Sequence, residues 1–92
     1  MKAELDEYCP CCGYNTFENT DRLNYSICPI CFWEDDPIGF EDPDFVGGAN
    51  RVSLIQARKN FIEFGACEKE MIRNIRTANL TDKMNPHWIG LK

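Results

Sequence analysis

The sequence predicts a small α+β fold, in which a β-hairpin with a cysteine-rich turn at each end precedes one or two packed α-helices. Two observations lead to this prediction: a pair of C-x-x-C motifs that fifteen residues separate, and an amphipathic pattern with capping signals further along the chain. The motifs are Cys9 with Cys12 and Cys28 with Cys31. Fifteen residues suffice for a hairpin between two metal-binding turns, so the first half of the chain is expected to be zinc-ribbon-like.

The four cysteines of these motifs have the spacing of a structural zinc site. Each motif reads C-P-x-C, and proline sets φ at the second position of the turn. Two such turns facing each other offer a tetrahedral cage of thiolates, which suits Zn²⁺ at about 2.3 Å from metal to sulfur. We therefore predict one Zn²⁺ per chain, with the ligands Cys9, Cys12, Cys28 and Cys31. A single iron is the alternative metal, because it also accepts four thiolates.

Two cysteines remain outside this set. Cys11 lies inside the first turn, where its side chain is expected to point away from the metal. Cys67 lies at the end of the predicted helix, where an unpaired cysteine usually acts as a small buried apolar residue. Four ligands already complete a structural site, so we predict neither of these two as a ligand.

The residues between the cysteine turns predict the hairpin. Residues 14–17 and 23–27 mix aromatic, apolar and polar side chains as strands do, and residues 18–21 resemble the turn between them. Gly13 can take the left-handed conformation with which the first cysteine turn ends. Phe32 stands at the equivalent position of the second turn, which therefore has to form without the freedom of glycine.

A disulfide framework is the alternative explanation of six cysteines in 92 residues. Residues 1–9 contain no apolar run and hold Lys2, Glu4, Asp6 and Glu7, so they do not resemble a secretory signal. No stretch of the chain approaches 18 consecutive apolar residues, so no membrane-spanning helix is predicted. We therefore expect a cytoplasmic protein, whose reducing surroundings favour a metal site over disulfides.

Charge is distributed unevenly along the chain. Residues 23–50 carry six acidic and no basic side chains, whereas residues 51–92 carry eight basic and four acidic ones. The ribbon-like part is therefore strongly acidic, and four thiolates around Zn²⁺ would add to its negative charge. This distribution favours a basic protein as the partner and argues against nucleic acid.

Residues 34–44 form an acidic run that is expected to be a loop, for which a partner-binding surface and a solvated connection are the alternatives. The run contains two prolines, and apolar residues such as Ile38 and Phe40 interleave with its carboxylates. It lacks the residue order of an EF-hand calcium loop, so specific calcium binding is not favoured. The candidate partner-binding residues are Glu34, Asp35, Asp36, Glu41, Asp42 and Asp44.

Capping signals and apolar periodicity predict a helix in the second half of the chain. Ser53 and Gln56 form a capping box, and Gly65 supplies a C-terminal stop. One apolar face, which should pack on the ribbon, comprises Leu54, Ile55, Ala57, Phe61, Ile62 and Phe64. A second short helix is expected at residues 68–76. Its inward residues would be Met71, Ile72 and Ile75.

The chain is expected to be one domain, residues 1–92, because its length suits a single small core that a metal ion stabilises. The zinc-ribbon-like part spans residues 8–46, the helical part residues 47–76 and a tail residues 77–92. The tail is too short to fold alone, but it can dock through Trp88 and Ile89.

No combination of nucleophile, base and orienting group predicts catalysis. His87 is the only histidine of the chain, and it lies beside a proline in the tail. A metal with four cysteine ligands has no open position for a catalytic water. We therefore predict that the protein is not an enzyme and has no catalytic residue.

Three stretches of the chain resemble, in the same order, the cysteine-rich CPCC family of small bacterial proteins. They are residues 9–14, residues 28–36 and the segment from Asn50 to Ala66. The resemblance implies a bacterial source and a zinc-ribbon-like start followed by a helix. Some members of the family are encoded near polymorphic toxins, so the resemblance also implies an immunity protein that neutralises a cognate toxin.

The favoured function is therefore a zinc-binding interaction protein, and two other classes stay open. One is a redox or electron-transfer protein that uses a four-cysteine iron site or the adjacent thiols of Cys11 and Cys12. The other is a nucleic-acid-binding zinc ribbon. Its cations would be Arg51, Arg58, Lys59, Arg73 and Arg76.

Overall fold

Helices follow the two cysteine turns, and irregular segments connect them. Within residues 6–18 and 22–86, which the computed structural model describes, the chain forms α1 (Pro37–Glu41), α2 (Leu54–Phe64) and a 3₁₀ helix (Lys69–Asn74). None of the helices in this part of the chain is both long enough and apolar enough to cross a membrane. The predicted roles of His87, Trp88 and Ile89 lie outside the described residues.

The predicted β-hairpin between the cysteine turns is not confirmed. In residues 6–18 and 22–86, strand pairing is limited to three isolated antiparallel bridges. They join Tyr8 to Asn15, Tyr14 to Met84, and Ile27 to Glu34. Leu23 and Tyr25 have φ angles of 59° and 65°, which bend the segment expected to be the second strand. Tyr14 therefore pairs with a segment near the end of the described chain and not with residues 23–27.

Each cysteine turn is closed by its own hydrogen bonds instead. In both turns, the first cysteine donates its N–H to the carbonyl five residues later, at 2.9 Å, and accepts from the N–H four residues later, at 2.8 Å. The residues involved are Cys9, Gly13 and Tyr14 in the first turn and Cys28, Phe32 and Trp33 in the second. The two turns thus have the same hydrogen-bond pattern, although they differ in sequence.

The capping signals of α2 are largely confirmed. The Ser53 hydroxyl accepts from the Gln56 N–H at 3.1 Å, and Gly65 ends the helix at φ 83°, in the left-handed region. The Gln56 side chain does not complete the capping box, since it donates to Asn60. Leu54 and Ala57 are buried in one cluster with the cysteines, as the apolar periodicity predicted.

The prediction that Ile62 belongs to the buried face of α2 was wrong, since this residue is 61% exposed. An eleven-residue helix that packs on so small a core buries only a narrow face, and Ile62 lies beyond its edge.

The second predicted helix is shorter and tighter than expected. It is the 3₁₀ helix, whose N-cap residue Glu68 makes no side-chain capping bond, because its carboxylate accepts instead from the Arg51 guanidinium. Met71 packs against the core, but Ile72 is exposed, contrary to the prediction. Backbone bonds from Cys67 to the Cys31 carbonyl (2.7 Å) and from Arg76 to the Pro29 carbonyl (3.0 Å) hold this segment against the second cysteine turn.

The acidic run was expected to be a loop, and that prediction was wrong in its centre, where α1 forms. The Asp36 carboxylate caps α1 by accepting from the N–H groups of Ile38 (3.0 Å) and Gly39 (3.3 Å). Pro37 occupies the first turn, where its fixed φ suits a helix and its missing N–H removes no bond. An aspartate followed by proline is a recognisable start of a helix. The sequence analysis missed it because the neighbouring carboxylates made the whole run resemble a loop.

A buried ion pair joins the acidic run to the segment between the cysteine turns. The Arg22 and Asp35 side chains are only 3% and 0% exposed, and Arg22 Nε lies 2.7 Å from Asp35 Oδ2. The same oxygen accepts from the Leu23 N–H. The guanidinium also lies over the rings of Phe17 and Phe40, 5.6 and 5.4 Å from their centroids. This pair fixes the start of the acidic run because both of its charges are satisfied inside the protein.

Replacing Asp35 by asparagine should strongly destabilise the protein. The substitution removes the buried carboxylate of the pair and leaves Arg22 only the exposed Asp6 carboxylate, and breaking a buried pair costs roughly 3–5 kcal/mol in other proteins. Urea unfolding of the variant and the parent would measure the difference in free energy.

Asp42→Asn is the matched control, because Asp42 is an exposed carboxylate of the same run. Its unfolding free energy should stay within about 0.5 kcal/mol of the parent value. Equal stabilities of the two variants would contradict a structural role for the Arg22–Asp35 pair.

Candidate metal centre

The two cysteine turns bring four thiol groups to one point. The Sγ atoms of Cys9, Cys12, Cys28 and Cys31 all lie within 4.8 Å of one another. The separation is 3.5 Å between Cys9 and Cys31 and 3.7 Å between Cys12 and Cys28. Tetrahedral bonds of about 2.3 Å would place sulfur atoms about 3.8 Å apart. The donor set and its spacing therefore fit a tetrahedral metal ion such as Zn²⁺.

The four cysteines are enclosed by the protein. Each is 0% exposed, and each belongs to the buried cluster that also contains Ile30 and Trp33. Zinc sites with four protein ligands and no solvent-facing position are structural, whereas catalytic sites keep one position open. The enclosure thus resembles that of a structural site.

Residues with left-handed backbone close both turns. Gly13 has φ 81°, as the sequence predicted, and Phe32 has φ 70° at the equivalent position. A residue with Cβ costs roughly 1–2 kcal/mol in this conformation. Phe32 is partly buried against the core, and this packing offsets the cost. The second turn thus forms without glycine because its side chain contributes to the core.

The remaining two cysteines are buried outside the group of four. Cys11 is buried within the first turn, and Cys67 donates its backbone N–H to the Cys31 carbonyl. Burial, together with the nearby Cys11, raises the pKa of Cys67 to about 12, so this thiol stays protonated at neutral pH. Neither belongs to the group of four thiols whose sulfur atoms cluster, and it stays a prediction that neither is a ligand.

A family model matches most of the chain. The model described as cysteine-rich CPCC matches residues 7–82, which include both cysteine turns and α2. The chain belongs to the cysteine-rich CPCC family. The resemblance seen in the sequence is therefore confirmed, while the bacterial source stays a prediction. No curated protein matches the chain.

In this CPCC protein the four clustered thiols titrate as a coupled group. Burial raises the pKa values of Cys9 and Cys31, while hydrogen bonds, first from Cys12 and also from Thr16, lower the pKa of Cys28. A divalent cation would favour the loss of protons from these thiols by compensating the negative charge of the thiolates. Protons and metal compete for the same sulfur atoms, so acid should weaken metal binding.

Thr16 supplies a hydrogen bond to the cage that sequence analysis missed. Its hydroxyl donates to the Cys28 sulfur over 3.2 Å. Thr16 lies between the two motifs and far from Cys28 in sequence, so no spacing rule identifies it. Such outer-shell donors stabilise the charge of a ligand and hold its orientation.

Thr16→Val should weaken metal binding by about tenfold, because loss of an outer-shell hydrogen bond typically lowers metal affinity 10- to 100-fold. Competition with a chromophoric chelator would measure the dissociation constant. Thr16→Ser keeps the hydroxyl and is the matched control, for which we expect nearly the parent affinity. Equal affinities of the valine variant and the parent would show that this hydroxyl does not support the cage.

The predicted partner-binding residues divide into two groups. Asp35 and Asp36 are buried, with their oxygens engaged by Arg22 and by backbone N–H groups, so neither faces a partner. The other four are Glu34, half-buried, and Glu41, Asp42 and Asp44, all exposed. The prediction that the acidic run binds a partner therefore applies to its exposed members.

Exposed apolar side chains accompany these carboxylates. Ile38, Phe45 and Val46 are 49%, 45% and 61% exposed. They come from the same short stretch of chain as the exposed acidic residues. We call this set the acidic surface: Ile38, Glu41, Asp42, Asp44, Phe45 and Val46.

Proposed function

We propose that this CPCC protein binds one Zn²⁺ through Cys9, Cys12, Cys28 and Cys31, and that the metal holds the fold together. The observation that carries this proposal is the convergence of four fully buried sulfur atoms within 4.8 Å of one another. The main role of the protein is then to present a surface, because four protein ligands leave the metal no position for water or substrate. The protein is accordingly proposed to be non-enzymatic.

Elemental analysis of cysteine variants tests the metal assignment. The parent should contain about one zinc per chain, and Cys28→Ser should lose it, because it removes one of four ligands. Cys11→Ser and Cys67→Ser are the matched controls, each removing a buried thiol outside the cage, and both should keep the metal. Full occupancy in the Cys28 variant would refute this ligand set. Iron in place of zinc would instead support the redox alternative.

The second part of the proposal is that the acidic surface binds a basic protein. Residues 23–50 carry no basic side chain, so their negative charge is not compensated within that segment. A surface of this kind speeds association with a cationic partner, and exposed apolar residues supply the centre of a contact. The Asp36 cap and the Arg22–Asp35 pair support this surface, which lowers the entropy cost of binding.

A cognate toxin with a basic substrate-binding site is the specific partner that we propose. Carboxylates of the acidic surface would occupy the positions at which such a toxin holds the phosphates of its substrate. This immunity role rests on the charge of the surface and on the resemblance to the CPCC family.

Amide substitutions test the acidic surface. The triple variant Glu41→Gln, Asp42→Asn and Asp44→Asn should associate with a basic partner about tenfold more slowly, since electrostatic steering raises association rates by 10-fold or more. Stopped-flow or surface-based kinetics against the product of a neighbouring toxin gene would measure the rate and its salt dependence.

Glu18→Gln with Glu63→Gln is the control for that experiment, because both residues are exposed carboxylates outside the acidic surface. The control should associate at the parent rate, and both variants should keep their zinc. If the triple variant bound like the parent and still protected a host cell, the acidic surface would not be the interface.

The other two functions receive less support. Of the five cations proposed for nucleic acid, Arg51 bonds to Glu68, Arg76 bonds to Asp82, and Arg58 donates to the Pro10 carbonyl. A redox role for Cys11 would require access to its thiol, which is buried.

A further inference from the structure

A guanidinium group of α2 reaches into the first cysteine turn. Arg58 donates from Nε to the Pro10 carbonyl over 2.8 Å, although the two residues are 48 positions apart in the chain. Pro10 stands between the proposed ligands Cys9 and Cys12, so this contact falls inside the metal-binding turn. Arg58 and Cys9 also line the same small cavity, of about 190 Å³. The guanidinium is therefore held beside the proposed metal centre.

The charge of this group acts on nearby sulfur atoms. Burial lowers the pKa of Arg58, and electrostatic attraction to Cys11 and Cys9 opposes that shift. An arginine side chain stays protonated in proteins, so Arg58 brings a full positive charge to this place. Because Arg58 is half-buried, water and salt screen its charge less than they screen a charge on the surface.

Two other arginines near the cysteine turns are held by carboxylates. Arg22 lines the same cavity, and its guanidinium forms ion pairs with Asp35 and Asp6. Arg76, whose backbone N–H bonds to the second turn, donates from both terminal nitrogen atoms to Asp82, at 2.7 and 2.8 Å. Carboxylates therefore balance both of these charges, which makes these arginines weaker sources of positive potential at the four cysteines.

We propose that Arg58 stabilises the negative charge of the metal-loaded cysteine cage. Four thiolates around a divalent ion carry a net charge of −2, and the four cysteines are fully buried. Burial of an ion is unfavourable unless opposite charges and hydrogen bonds compensate it. Arg58 supplies one such charge from α2 and holds the backbone of the first turn through Pro10. This inference rests on the proposed function, because it requires the four-cysteine ligand set.

Reconstitution with iron makes the effect of this charge measurable. An iron ion bound by four thiolates changes the net charge of the cage from −1 to −2 when it takes up one electron, so a nearby cation favours the reduced state. Arg58→Gln should lower the reduction potential of the iron-substituted protein by about 59 mV, which is a tenfold change in the ratio of the two iron states. A redox titration followed by absorbance measures this potential. The same variant should bind zinc about tenfold more weakly in competition with a chelator.

Three further variants control this experiment. Arg58→Lys keeps the charge, so its potential should stay within about 18 mV of the parent value, a twofold change. Lys59→Gln is the matched control, because it removes one positive charge from the next, exposed position of α2. Its potential should also stay within about 18 mV of the parent value, since solvent and salt screen an exposed charge. Arg58→Met is a second neutral variant, which takes the place of Arg58→Gln if the latter does not fold.

Three results would overturn the proposal. One is a potential of the neutral Arg58 variant equal to that of the parent. Another is an equal fall in Lys59→Gln, which would assign the effect to the total charge of the chain. The third is an equal fall in Arg58→Lys, which would assign the effect to the bond with Pro10. A parent protein that takes up no metal, or that keeps its metal after Cys28→Ser, would instead refute the proposed function and this inference with it.

Discussion

The convergence of four cysteine sulfur atoms is the constraint on which this structure depends. Regular pairing of strands is almost absent from residues 6–18 and 22–86, and the one longer helix has eleven residues. The buried cluster is made largely of the cysteines themselves, with Leu54 and Ala57 of α2 packed on them. A structural zinc ion contributes on the order of 10 kcal/mol to a small module. That contribution is comparable with the whole stability of an ordinary domain, roughly 5–15 kcal/mol.

The helical segments hold the two turns in place from outside. Backbone N–H groups of Cys67 and Arg76 bond to carbonyls of the second turn, and Arg58 of α2 bonds to the Pro10 carbonyl of the first. The helices therefore depend on the turns for a surface to bury, and the turns depend on the helices for their alignment. The Asp36 cap and the Arg22–Asp35 pair fix the backbone next to the acidic surface. These contacts therefore connect the local backbone geometry with the proposed binding function.

The sequence predicted those parts of the fold that depend only on interactions between residues close together in the chain. Three features were predictable because each depends on neighbouring residues: the two cysteine turns, the left-handed conformation of Gly13 and both ends of α2. The predicted hairpin was not confirmed, because Tyr14 pairs with Met84, about seventy positions later, and no periodicity of the sequence indicates that pairing. Nor could the sequence separate buried from exposed carboxylates in the acidic run. Asp35 is buried because Arg22, thirteen residues away, is buried with it.

The most direct test of the central claim is removal of the metal. A strong chelator should unfold α2 together with the cysteine turns, and circular dichroism would record the loss of helical signal and a large fall in the thermal midpoint. Addition of zinc should restore both, because binding of the metal is coupled to folding. An unchanged helical signal and an unmoved midpoint after the metal has been removed would contradict the claim that the four-cysteine cage holds this fold together.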